Sequence, residues 1–143
     1  MPHPAEPALD LDVLREAFDA VLAPWARELK LTLLSAAPGV VTLQLPVAPQ
    51  LVHGGGVLCG QAMMAACDTA MVAAVMSRIG GFKPMTTVQL QTSFLRPVAG
   101  DGGSVKLVAR VLRMGRNLVF GEVQLFDAKD QLAAHATTTY ALL

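Results

Sequence analysis

The sequence is short of aromatic rings, of charge and of cysteine. Of its 143 residues 5% are aromatic and 15% charged, against 53% hydrophobic, where about 25% charged is usual for a soluble domain. So large an apolar share excludes a disordered chain, and with few rings the core must be filled by Ala, Val, Leu and seven Met. Eleven basic and eleven acidic side chains cancel, which argues against nucleic acid or an anionic membrane surface as partner. Cys59 and Cys67 are the two cysteines. They suit neither a zinc site nor a disulfide framework, so a reducing, cytoplasmic setting is expected. Positions 1–11 carry acidic residues and three prolines, where a secretory leader needs positive charge followed by an apolar run.

The length predicts a single domain over 1–143, with an N-terminal helical segment at 1–29. Leu14, Phe18, Val21, Leu22 and Trp25 keep helical spacing behind Asp10 or Asp12 as N-cap, and Pro24 bends or ends that helix. Around Pro38-Gly39 two apolar runs read as a hairpin. Positions 57–79 are apolar apart from Gln61, Asp68, Thr69, Ser77 and Arg78, long enough to span a bilayer. An aspartate at the middle of such a span is costly, and Ala, Gly and Met offset little of that cost, so a buried soluble helix is expected. Gly80-Gly81 stops it. Everything beyond reads as strand: 88–94, 104–113, 118–127 and 131–140. Short connectors then predict an antiparallel meander of four strands and an α+β class with one helix on a curled sheet.

At 100° per residue, Ala62, Ala65, Ala66, Thr69, Ala70, Ala73, Ala74 and Ser77 share the side of the helix that can approach a sheet closely. The other side holds Gln61, Met64, Asp68, Met71, Val72 and Val75. Asp68 is either a carboxylate satisfied by neighbouring polar groups or a general base or nucleophile in an apolar cleft. The glycine-rich approach, His53-Gly54-Gly55-Gly56 and then Cys59-Gly60-Gln61, is either a plain loop or a place where a ligand reaches the backbone. A first-turn N–H near Gly60 could hold an oxyanion. Met63, Met64, Met71 and Met76 either fill core or line an adaptable pocket.

Together with Phe94-Leu95-Arg96-Pro97, Gly115-Arg116 and the closing Ala134-His135-Ala136-Thr137-Thr138-Thr139-Tyr140, these residues resemble the hotdog-fold acyl-CoA thioesterases of the phenylacetate-pathway type. The likeness covers roughly residues 30 to 142. That family's turn reads Asn or Gln, five residues, His-Gly-Gly, six residues, then the catalytic acid. Placing His-Gly-Gly on His53-Gly54-Gly55 puts Ala62 at the acid position. Anchoring on Asp68 puts Cys59-Gly60-Gln61 there instead, with His53 at the Asn/Gln position, and this register keeps the acid.

The resemblance implies a hotdog fold, a long central helix wrapped by a curled antiparallel sheet of five to six strands. It implies an enzyme that hydrolyses acyl-CoA with no cofactor and no metal. Asp68 becomes base or nucleophile, the Gly60 N–H the oxyanion donor, His53 an orienting group and Thr87, or Thr86 after a slip of one residue, a group that positions water. Cys59, Gln61, Arg113 and Arg116 would contact substrate, the arginines near the nucleotide end. Sites at a subunit interface imply a homodimer or homotetramer. Cys59 stands where the family has His and Gln61 where it has a second Gly, so a non-catalytic acyl-CoA or lipid-binding protein is the alternative. A hotdog hydratase is more distant, because Asp130 and His135 have its spacing without its Asn-Pro.

Overall fold

The computed structural model describes residues 10–101 and 103–143. The stretch before position 10, read above as unlike a secretory leader, lies outside them. Asp10 caps helix α1 (Leu11–Val21) by accepting from the amides of Asp12 and Val13, satisfying two first-turn donors. Leu14 and Phe18 form its buried stripe. Pro24 begins a separate helix, α2 (Pro24–Arg27), instead of bending one long helix. Its ring fits a first turn, where no intrahelical partner for the missing N–H is needed.

Strands β1 (Thr32–Ala37) and β2 (Val40–Pro46) form the expected hairpin. A short 3-10 turn, Pro49–Leu51, leads to helix α3 (Gly60–Ile79). Strands β3 (Met85–Phe94), β4 (Ser104–Met114), β5 (Leu118–Phe126) and β6 (Leu132–Leu142) follow. All pairings are antiparallel, in the order β1-β2-β4-β5-β6-β3.

This order corrects the four-strand meander. Only β4, β5 and β6 run as neighbours, while β3 lies beyond β6 at the sheet edge. The connection after β3 crosses at the start of α3, where Leu58 donates to Val98 at 2.8 Å and Val57 bridges Ala99. Because the sheet curls around the helix, nine residues suffice to carry the chain from β3 at the edge to β4 beside β2.

The curl also decides which helix positions are buried. Ala66, Ala70, Ala73 and Ala74 are fully inside, but so are Met71 and Val75 from the side read as opposite. Gly121 on β5 makes room for Met71, whose thioether lies where a side chain at 121 would go. Met71 and Met76 are therefore core, each such burial contributing about 2 kcal/mol. What remains half-covered is the stripe Met64, Ala65, Asp68 and Val72, with Gln61 exposed at its start. Helix α3 is long and apolar enough to cross a membrane by length and composition, yet 67% of its most apolar window is buried inside the protein. Gly80, at φ +82°, ends it in the left-handed conformation and donates to Met76 O, a backbone state that glycine enters without strain.

Candidate active site

Two local structures flank the half-covered stripe of α3. The first is the helix start. Cys59 is the extended N-cap residue and its side chain makes no capping hydrogen bond, while its own N–H is held by Leu51 O at 2.8 Å. The first intrahelical donor is Met63, to Cys59 O at 3.2 Å, so the amides of Gly60, Gln61 and Ala62 belong to the unfilled first turn at the positive end of the helix dipole. The Phe94 ring lies 3.4 Å from where a Cβ on Gly60 would stand. His53, Val57, Gly60, Met63, Phe94 and Arg96 help line an open cleft of about 280 Å³. His53 accepts the Gly55 N–H on Nδ1 at 2.8 Å, which leaves Nε2 for other partners.

The second structure surrounds Asp68. Thr87 Oγ1 donates to Asp68 Oδ1 at 2.9 Å, and the Tyr140 hydroxyl donates to the same oxygen. Thr87 pairs with Tyr140 across β3 and β6, so both side chains rise from one face of the sheet. A register shift between Thr87 and Gln89 puts Thr87 there, so that Thr87 and not Thr86 reaches Asp68. Burial first, then the negative charge of Asp68, pushes the Tyr140 phenol up from its ordinary range. The same two causes push the Cys67 thiol up to about 12, so Cys67 is an inert buried thiol.

Helix geometry separates the two structures. Eight residues at 1.5 Å each put Asp68 about 12 Å along the axis from Gly60. The structure thus joins Asp68 with Thr87, and His53 with Gly60, without joining the two pairs within the chain. Cys59 is half-buried and Gln61 exposed. Both face a second pocket on the other flank of the helix start, where Trp25, Leu29 and Leu51 also contribute. Arg113 and Arg116 are exposed beside the β4–β5 turn. Leu142 N donates to Asn117 O at 2.7 Å, which sets that turn at the Asp68 end of the sheet. Asp130 and His135, the hydratase-like pair, have separate partners, Lys106 at 3.5 Å and Glu122 at 3.1 Å. Among the described residues, no three His, Cys, Asp or Glu side chains gather as a metal site.

Tyr140 is the site residue that sequence reasoning misses. Its signal was present, a lone tyrosine at the end of a strand of small residues, but its partners lie on distant elements.

Residues 52–134, more than half of the chain, match the thioesterase superfamily. A Thermoplasma volcanium protein that carries an esterase name is 30% identical over 112 residues, covering 73% of this chain and 76% of its own. Zebra fish thioesterase superfamily member 2 has a TM-score of 0.82 at 28% identity, over 94% of this chain and 99% of that one. The Escherichia coli PaaI protein from the phenylacetic acid degradation operon shares the fold at 18% identity, with a TM-score of 0.79 over 94% and 96% of the two chains. The helix wrapped by six antiparallel strands and these matches agree: the chain belongs to the thioesterase superfamily, with the hotdog fold and the hydrolase class that this membership implies.

Proposed function

We propose that the protein hydrolyses acyl-CoA thioesters, with each active site shared between two subunits. The observation that carries this reading is Asp68, a carboxylate on the half-covered stripe of an otherwise buried helix, held by two hydroxyl groups. About 12 Å separates it from the Gly60 amide, too far for one carbonyl to meet both within a chain. Strand β3 offers the means of joining two chains. It is an edge strand with Val88 and Phe94 59% and 48% exposed, and an unpaired edge of this kind favours pairing with a second copy. Antiparallel pairing of two β3 strands would bring Gly60 and His53 of one chain toward Asp68 and Thr87 of the other.

In the general-base form, Asp68 takes a proton from water as the water oxygen bonds to the thioester carbon. The carbonyl becomes an oxyanion held by the Gly60 N–H. Collapse breaks the carbon–sulfur bond, and the departing thiolate receives a proton, giving free acid and coenzyme A. In the nucleophilic form, Asp68 bonds to that carbon first, the adduct expels the coenzyme A thiolate as the carbon–sulfur bond breaks, and water then cleaves the resulting anhydride to free acid and the Asp68 carboxylate. His53 orients the thioester or water, Cys59 and Gln61 line the adjoining pocket on the other flank of the helix start, and Arg113 and Arg116 meet the coenzyme A phosphates. These roles fit a reducing, cytoplasmic protein.

Thiol release from a panel of acyl-CoA substrates tests the reading. Asp68→Ala and Asp68→Asn should both abolish turnover, and undiminished release in both removes Asp68 from the mechanism. Cys59 at the family's histidine position favours a second reading, a binding protein without catalysis. Tight acyl-CoA binding with no thiol release above background would establish that instead.

A further inference from the structure

We infer that Tyr140 is a positioning residue that selects the reacting oxygen of Asp68: it and Thr87 tie down Oδ1, so that Oδ2 takes the proton from water or attacks the carbonyl. This rests on the hydrolytic reading of Asp68 given above.

Both hydroxyl groups reach the same oxygen, which leaves Oδ2 outside this pair of hydrogen bonds. A carboxylate turns in a broad, roughly two-fold well, so an unanchored Asp68 would exchange its oxygens and present either one. Two donors at one oxygen fix the plane of the group and the identity of the free oxygen. Such fixing is what orientation in catalysis requires.

The two donors differ in stiffness. Thr87 lies on a strand that is paired on one side only within its own chain. Tyr140 is 2% exposed on β6, paired on both sides by β5 and β3, and a buried phenol requires a partner. The phenol also lies 2.5 Å from the main-chain oxygen of Asp68, but that oxygen already accepts the helical bond from four residues on. The carboxylate is the stronger acceptor for its single proton. Because burial and the Asp68 charge raise the phenol, it remains a donor at any working pH.

The test uses Tyr140→Phe in the full chain, assayed for thiol release with an acyl-CoA that the native protein cleaves. A lost hydrogen bond to a charged group predicts a fall in kcat of roughly tenfold or more, with KM held within about twofold and the fold intact by circular dichroism. In the inactive Asp68→Ala protein the same substitution should leave binding of that acyl-CoA within about twofold, because the oxygen it positions is gone. Native kcat in Tyr140→Phe, or acyl-CoA binding lost when Tyr140→Phe is added to Asp68→Ala, overturns the proposal. Native turnover in Asp68→Ala alone overturns the prior reading of Asp68, and is read from a separate protein.

Should Tyr140→Phe fail to fold, biosynthetic 3-fluorotyrosine keeps the hydroxyl and labels only this site, since the chain has one tyrosine. Its fluorine resonance should move in Asp68→Ala and stay in place when the distant Arg15 is changed to Ala. An unmoved resonance in Asp68→Ala overturns the proposal.

Discussion

Thr87 reaches the carboxylate of Asp68, at 2.9 Å, because the strand that carries it loses register at Val88. Without that shift the alternation that points Leu90 and Thr92 inward would point Thr86 inward as well and turn Thr87 away. The hydroxyl is delivered by a local irregularity, a form of re-aiming that such shifts often supply beside active sites.

Thr87→Val tests the hydroxyl apart from the shape. Valine keeps the branched side chain but cannot donate, so kcat for thiol release should fall roughly tenfold or more. Thr87→Ser should retain most activity, whereas the two variants having equal kcat would show that the hydroxyl is idle.

Gly60→Pro removes the proposed oxyanion donor while keeping the helix start. Gly60 is the first residue of α3, preceded by an extended Cys59 at φ −71°, ψ 149°, a conformation that proline accepts both in its own place and after its neighbour. Helix content by circular dichroism should be unchanged, with turnover lower by roughly a hundredfold to a thousandfold. An active Gly60→Pro protein would move the oxyanion site elsewhere.

Mixing these lesions tests the shared site. Asp68→Ala and Gly60→Pro chains, each inactive alone, should after unfolding and refolding together recover about a quarter of native activity, as expected for random two-fold pairing. No recovery would place both groups in one chain.

Alkaline stability should report Cys67. Its folded thiol is held up to about 12, from 9.0 when free, by burial and then by Asp68. The folded value is the higher one, so the protonated thiol's contribution to stability is complete below pH 9 and is lost as pH rises toward 12. Cys67→Ala should lower Tm modestly at pH 7, by the loss of about 1 kcal/mol of packing, and should show a shallower fall of Tm between pH 9 and 12. Parallel curves for the two proteins would refute this.

Gly121→Ala should destabilise the fold by about 1–3 kcal/mol. The added methyl would stand 2.9 Å from the main-chain oxygen of Arg110 and in the space that Met71 fills. Denaturant titration measures the loss, and an unchanged midpoint would show that Met71 can withdraw freely.

The central helix and its acid are legible in the sequence because they rest on local composition. A mostly apolar run of twenty residues ending at glycine can be read without knowing what surrounds it, and a lone carboxylate within it is conspicuous. The hairpin of β1 and β2 is equally local. The place of β3 is not, since short connectors suggest sequential neighbours and only the curl of the sheet lets β3 and β4 lie apart. Met71 misleads for a related reason: helical spacing places it near Asp68, but the hollow at Gly121, on another element, takes it inside. Thr87 and Tyr140 depend on a register shift and on a pairing across distant parts of the chain, neither of which leaves a periodic trace.

Placing β3 beside β6 also imposes an order on folding. Thr87 emerges from synthesis well before Tyr140, its cross-strand partner, and at ribosomal rates the wait is on the order of seconds. During that interval β3 has no mate within its own chain, and Asp68 lacks the Tyr140 hydroxyl. Contacts of such long sequence separation close late, so a ribosome-bound chain with a formed β1–β2 hairpin still lacks the setting of its carboxylate.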